Sequence, residues 1–306
     1  MSDMSAYSER EPTRVEPTYS REAWLPSQRL GEVIVFCTLA VVGSVLFALV
    51  AFTNLYWFYP AWAYGILIFI AWRRYFAPRI SDENEIVGGG ADKKGVDLTV
   101  QDLRGFDFRH DDLRTATLTE ADLSEADLSY ALARGTNLSG ALLKNATLVG
   151  TDLVGSSLLG ADLSGSDLTR ADLAHSALMG SALYAVDLTE ADLSFCRLDG
   201  ADLSYATLRY AYLRQALLND ASLNGAKLIN ADLEGASLSH ADLSDVDLTN
   251  ANLEGADLTG ASLTNAILTN ANLTHASLED ADVTDEQLDA GKTLMGATMP
   301  DGTTHR

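Results

Sequence analysis

Cysteine is almost missing from this chain. Cys37 and Cys196 are the two it has in 306 residues. The first sits in an apolar run and the second at a small inward position of a repeat, so they cannot pair and no disulfide framework exists. Basic residues are also scarce: 21 Lys and Arg stand against 43 Asp and Glu, for a formal net charge of −22. Like charges repel, so direct binding to a nucleic-acid backbone is not expected. Between Leu228 and Gly291 there is no Lys or Arg at all. The histidines His110, His175, His240, His275 and His305 are scattered, and none pairs with Cys or Glu at metal-ligand spacing. Gly291-Lys292-Thr293 has the ending of a phosphate loop, but Glu286 stands where its first Gly is required. No catalytic residue, cofactor or enzymatic activity is therefore expected.

Charge is missing altogether from one long stretch. From Gly31 to Trp72, 72 − 31 + 1 = 42 residues, Glu32 is the only charged residue. That is too long for one helix, and it divides at Thr53-Asn54 into Val33–Ala51 and Leu55–Trp72. Each piece just spans a hydrocarbon layer of about 30 Å. Tyr56, Trp57, Tyr59, Trp62 and Tyr64 crowd the start of the second piece, as an interfacial aromatic belt does. Arg14, Arg21 and Arg29 precede the pair, Arg73, Arg74 and Arg79 follow it, and the turn is uncharged. The expectation is a two-span membrane protein held in the bilayer by this hairpin, with both termini cytoplasmic. The spans carry no charged pathway residue and no filter sequence, so transport by this chain alone is poorly supported.

What fills the rest is leucine at every fifth position. The march starts at Leu98 and ends at Leu288, (288 − 98)/5 + 1 = 39 steps, with only Phe108, Ala133 and Val283 departing from Leu. Calling this residue i, a small residue occupies i−2 and Asp or Asn often occupies i−1. The i+2 position collects turn formers such as Gly140, Gly160, Asn230 and Asn250. A period of five is neither helical nor that of a plain strand. Residues i−2 and i point inward from a short extended wall, and i+2 makes the corner. A fixed short repeat means a solenoid.

Units such as Ala121-Asp122-Leu123-Ser124-Glu125 and Ala251-Asn252-Leu253-Glu254-Gly255 closely resemble the pentapeptide-repeat family. The resemblance covers residues from about 96 to 288 and implies an all-β solenoid, the right-handed quadrilateral β-helix with four units per coil. The resulting organisation is a disordered segment over 1–29, a transmembrane helical hairpin over 30–75 and a flexible linker over 76–95. The β-helix follows over 96–288, with a capping helix and tail over 284–306. Phe106 and Phe108 are expected to plug the N-terminal end. Thr284-Asp285-Glu286-Gln287 reads as a capping box that starts a short helix, and Leu288, Leu294 and Met295 are expected to close the last coil.

The acidity belongs to the solenoid: residues 96–288 hold 31 acids and 10 bases, 10 − 31 = −21. It reads as a property of the repeat, as adaptation to high salt or, by resemblance, as mimicry of DNA. Some pentapeptide-repeat proteins block type II topoisomerases in that last way. With twenty residues per coil, Asp152, Asp172 and Asp192 form a ladder that is a candidate for holding a divalent cation. Outward Tyr184, Phe195, Tyr205, Tyr210 and Tyr212, with Arg197, Arg209 and Arg214 nearby, form a candidate protein-docking patch. The reading reached is a membrane-anchored, non-enzymatic scaffold whose solenoid binds a protein of unidentified kind. Alternatives are a topoisomerase-directed DNA mimic and an accessory subunit of a channel or transporter. Replacing Leu46 and Val50 with Asp should move the protein from the membrane to the soluble fraction. Retention of that variant after high-salt washing would show that the hairpin does not span.

Overall fold

The computed structural model describes residues 90–306. The expected N-terminal segment, the hairpin and most of the linker lie outside the described residues. Among the described residues no helix is long and apolar enough to cross a membrane.

The five-residue repeat folds as a four-sided solenoid. Each i−1 residue makes a parallel bridge to the residue twenty positions on, in an unbroken series from Asp92↔Asp112 to Ser262↔Asp282. Twenty residues over units of five give four faces. The first runs through Leu98 and Leu118, the second through Leu103, the third through Phe108 and the fourth through Leu113. Backbone groups of neighbouring coils satisfy one another: Leu98 N donates to Thr117 O at 2.7 Å and Thr117 N to Val96 O at 2.8 Å. Within a coil Ala116 N donates to Leu113 O at 3.0 Å and closes the turn.

Corners sit at i+2, and there φ is positive even for Val100, Thr115 and Tyr130. Large corner side chains lie along the rod over a glycine of the next coil. A Cβ on Gly225 would come within 2.9 Å of the Tyr205 ring, so no other residue fits there without moving it.

The interior is a column of fully buried leucines flanked by alanines, each Leu contributing on the order of 1.5–3 kcal/mol. In the middle coils Thr136, Thr151, Ser156, Ser166, Ser176 and Ser181 replace Ala and are buried. Their hydroxyls find partners inside; Thr136 Oγ1 and Ser176 Oγ donate to Leu113 O and Leu153 O, both at 2.8 Å. Cys196 acts in the same way, its Sγ donating to Leu173 O at 2.8 Å. Burial pushes its thiol up to about 12, so it is a core residue and not a nucleophile.

The coil begins earlier than the linker boundary at 95 implies. Ala91–Gly95 already form a unit of the fourth face, with Lys93 N bonded to Asp112 O at 2.8 Å. This unit escapes the pattern because Lys93 occupies the Leu position and Asp111, an acid, occupies the inward i−2 position above it. The two make a buried ion pair. Asp111 also accepts from Ala91 N at 2.7 Å, and Lys93 Nζ lies 5.4 Å from the centre of the Phe108 ring. Phe108 is buried and stacks on Phe106 at 6.1 Å, so the expected aromatic plug is present with an ionic layer added to it.

The other end closes with helix α1, Asp285–Asp289. Thr284 and Gln287 form the expected capping box. The Gln287 amide also donates to Leu263 O and Ala266 O at 2.7 and 2.9 Å, sealing carbonyls of the coil beneath. After α1 the ladder resumes with a spacing of 21, Asn272↔Thr293 and Ser277↔Thr298. The tail then folds back through the antiparallel bridge Thr298↔Thr304. Leu288 is buried and Leu294 packs on the core. Met295 does not close the coil; it is 59% exposed, because the extra residue puts Leu294 in the inward place and Met295 one step beyond.

Asp111→Ala should lower stability by about 3–5 kcal/mol, because it leaves the Lys93 ammonium buried without a partner. Asp167→Asn, on the outer surface, keeps an acceptor for its turn amide and should leave the denaturation midpoint nearly unchanged. Equal effects in denaturant melts would refute the ionic plug.

Candidate functional site

The surface is built by a local rule that the sequence displays without explaining. An Asp at i−1 turns its carboxylate sideways and accepts the amide of i+1. Asp97 accepts from Thr99 N at 3.0 Å, Asp167 from Thr169 N at 2.9 Å, Asp242 from Ser244 N at 3.0 Å and Asp257 from Thr259 N at 3.0 Å. Asn does the same at Asn137 and Asn272. When i+1 is Ser or Thr its hydroxyl often donates as well, as in Thr249 to Asp247 at 2.6 Å. The acid is thus a turn former that satisfies one backbone donor per unit.

The same rule governs the candidate cation ladder. Asp152, Asp172 and Asp192 do stack on the fourth face, but each faces its own turn. They accept from Val154 N, Ala174 N and Ser194 N at 3.4, 3.1 and 2.9 Å. Arg134 already pairs with Asp152. Among the described residues no group of three or more His, Cys, Asp or Glu is placed to hold a metal ion. Elsewhere stacked acids are managed in two ways. Near the start an Arg bridges them: Arg104 reaches Asp102 and Asp122 at 2.8 and 3.6 Å, and Arg109 reaches Asp107 and Asp127 at 2.7 and 3.6 Å. On the second face acid alternates with neutral, Asp162↔Ala182↔Asp202↔Ser222↔Asp242↔Ser262.

The eight aromatic and arginine residues do not form one patch. Thirty-one positions, 184 to 214, wind more than once around a coil of twenty, so they become a girdle. Tyr184 lies on the second face and Tyr205 on the corner after it, their rings 5.6 Å apart edge to face. Phe195 occupies the corner between the fourth and first faces, stacked on His175 at 4.9 Å, and Arg197 lies on the first face. Arg209 on the third face, Tyr210 on the next corner, and Tyr212 and Arg214 on the fourth face run together around one edge. Tyr210 and Tyr212 are 55% and 52% exposed. Arg214 is held by Asp232 at 3.1 Å and by Glu234. A further stack, His110 on Tyr130 at 5.4 Å, follows from two i+2 residues twenty apart and was legible from the period.

Near the C-terminal end Asn250, Asn252, Glu254, Asn270, Asn272 and Lys292 line a shallow groove. Two of its amides are already engaged: Asn272 Nδ2 donates to Asn252 Oδ1 and Asn252 Nδ2 to the Asp232 carboxylate, both at 2.9 Å.

The family model described as pentapeptide repeats matches residues 94–129, 121–158, 148–183, 181–220, 216–255 and 247–285. Among solved structures the chain is similar to HetL, a pentapeptide repeat protein involved in heterocyst differentiation regulation from the cyanobacterium Nostoc sp. strain PCC 7120. Identity is 36%, covering 72% of this chain and 94% of HetL, with a TM-score of 0.30. A trypsin-treated form of QnrB1, a plasmid-mediated fluoroquinolone resistance protein, is 20% identical over 65% of this chain and 92% of its own, with a TM-score of 0.33. Rfr23, a pentapeptide repeat protein from the cyanobacterium Cyanothece 51142, is 28% identical over 42% of this chain and 85% of its own, with a TM-score of 0.23. No curated protein sequence matches the chain.

The arginine-bound acids add a small, solvent-screened acid dependence to the fold. Hydrogen bonds from Arg109 and Arg114 hold the carboxyls of Asp107 and Asp112 down at about 2. Unfolded Asp titrates near about 3.9. The stabilisation is therefore complete above that value and is lost as pH falls through about 2. The melting temperature should decline between pH 4 and 2, and less steeply in the Arg109→Ala, Arg114→Ala double variant. Identical slopes would show that these pairs do not couple folding to pH.

Proposed function

The chain belongs to the pentapeptide-repeat family, whose fold is the right-handed quadrilateral β-helix, and from that premise we propose that it is a non-enzymatic docking module. A protein partner is bound along the edge where the third face meets the fourth. The observation that carries this reading is the run Arg209, Tyr210, Tyr212 and Arg214, which brings exposed aromatic rings and guanidinium groups around one edge of an otherwise acidic rod. Rigid aromatic anchors and Arg supply much of the binding energy at protein interfaces. A solenoid holds them without the entropy loss of ordering a loop.

In the same reading the hairpin over 30–75 anchors the protein in the cell membrane and leaves the rod in the cytoplasm. The uncharged run from Gly31 to Trp72, broken only by Glu32, and the arginines on either side support it. One observation favours a second reading, mimicry of DNA toward a type II topoisomerase: the absence of Lys and Arg from Leu228 to Gly291. The turn role of the aspartates weighs against it, since it accounts for most of the acidity without a partner.

The two readings separate in one experiment. Full-length protein extracted from native membranes should capture its partner, and Tyr210→Ala with Tyr212→Ala should reduce capture at least ten-fold. Asp242→Asn with Asp247→Asn should barely change it. Strong inhibition of topoisomerase supercoiling at physiological salt, unaffected by the two Tyr changes, would replace docking by mimicry.

A further inference from the structure

One part of the rod breaks the surface rule. Three consecutive coils cross the first face without Asp, Glu, Lys or Arg, over residues 135–143, 153–161 and 173–186. Their bridges, Asn137↔Ser157↔Ala177, place them one above the next. Leu159, Ala177 and Met179 face outward there. Leu142, Ala182 and Tyr184 continue the apolar surface onto the adjoining part of the second face. Leu142, Leu159 and Tyr184 are 41%, 38% and 48% exposed, whereas the same coils carry Ser and Thr inside. Two acids border this area: Asp162, paired with Lys144 at 3.0 Å, and Glu120, whose side chain reaches over Gly140. Between the two faces the corner is bare in two of the three coils: a Cβ added at Gly160 or Gly180 would meet nothing within 4 Å, whereas one at Gly140 would meet the Glu120 side chain at 3.4 Å.

We propose that this charge-poor edge is where a second copy of the chain packs, flank to flank. Two features on the rod select that occupant. The first is charge. Residues 96–288 sum to 10 − 31 = −21, so two copies repel each other wherever acidic faces meet, and this edge brings them together with few opposing acids. The second is pitch. Its apolar side chains stand in rows about 4.8 Å apart, fixed by the strand spacing. A second copy presents rows of the same pitch, so the rows of one seat between those of the other as in stacked sheets. The contact is isologous, the same surface on both partners. Three coils make it only about 14 Å long, which places it among the small, reversible interfaces. It uses neither Tyr210 nor Tyr212, so it stands or falls apart from partner docking.

Site-directed cross-linking of the full-length chain in membranes tests it, in a Cys37→Ser background so that only the introduced thiol is accessible. Met179→Cys lies on the edge; Thr189→Cys, on the third face, is the control of similar exposure. Mild oxidation should give at least ten-fold more disulfide dimer from Met179→Cys than from Thr189→Cys. Adding Leu159→Asp, or the milder Leu159→Gln, should remove most of that dimer while circular dichroism stays unchanged. Equal yields from the two positions, or a Met179→Cys dimer unaffected by both Leu159 changes, would overturn the proposal. So would cross-linking of Met179→Cys to a different protein with no homodimer.

Discussion

The backbone hydrogen bond between coils is the interaction on which everything else in this rod depends. A single coil satisfies few of its own amides; Leu98 needs Thr117 and Thr117 needs Val96. Each coil is therefore stable only between neighbours, and a shift of one residue would misplace every Leu beyond it. That is why 39 units run without insertion. The one added residue is absorbed where α1 interrupts the ladder and lets it restart at a spacing of 21. It is also why both ends carry special chemistry. A terminal coil leaves a row of unpaired donors and acceptors that invites further strands. An ionic and aromatic plug marks one end, and a helix with a folded-back tail covers the other.

The same constraint makes the surface a set of ruled columns. Any residue type at one position in the unit recurs on a face at the coil spacing. Aspartate is so frequent because it solves a backbone problem in each turn, and its charge is a by-product that accumulates. The rod then has to manage stacked carboxylates, by bridging arginines near its start and by alternation with Ala or Ser on the second face. Against so regular a background, function is read from exceptions. The tyrosine and arginine edge is one. The first face of the middle coils, free of charge and apolar outside where those coils carry Ser and Thr inside, is another.

The sequence by itself determined the fold of the repeat region. A period of five with small and large inward residues dictates a solenoid, the resemblance to the pentapeptide-repeat family implied its four sides, and Phe108, Cys196 and the Thr284–Gln287 box took the places expected of them. Those are local matters: which side chains point inward, where φ turns positive, which side chain caps a helix. The tertiary structure decided what depends on neighbours twenty residues away. Lys93 and Asp111 look like misfits in their units, and only stacking them shows a buried pair. Asp152, Asp172 and Asp192 align as the period requires, yet the direction of each carboxylate is set by its own turn amide, which composition does not reveal. Eight aromatic and arginine residues close in sequence were wound around four faces, because proximity along a solenoid is angular as well as linear. Conversely, residues 135–143, 153–161 and 173–186, apart in sequence, became one surface when the coil stacked them.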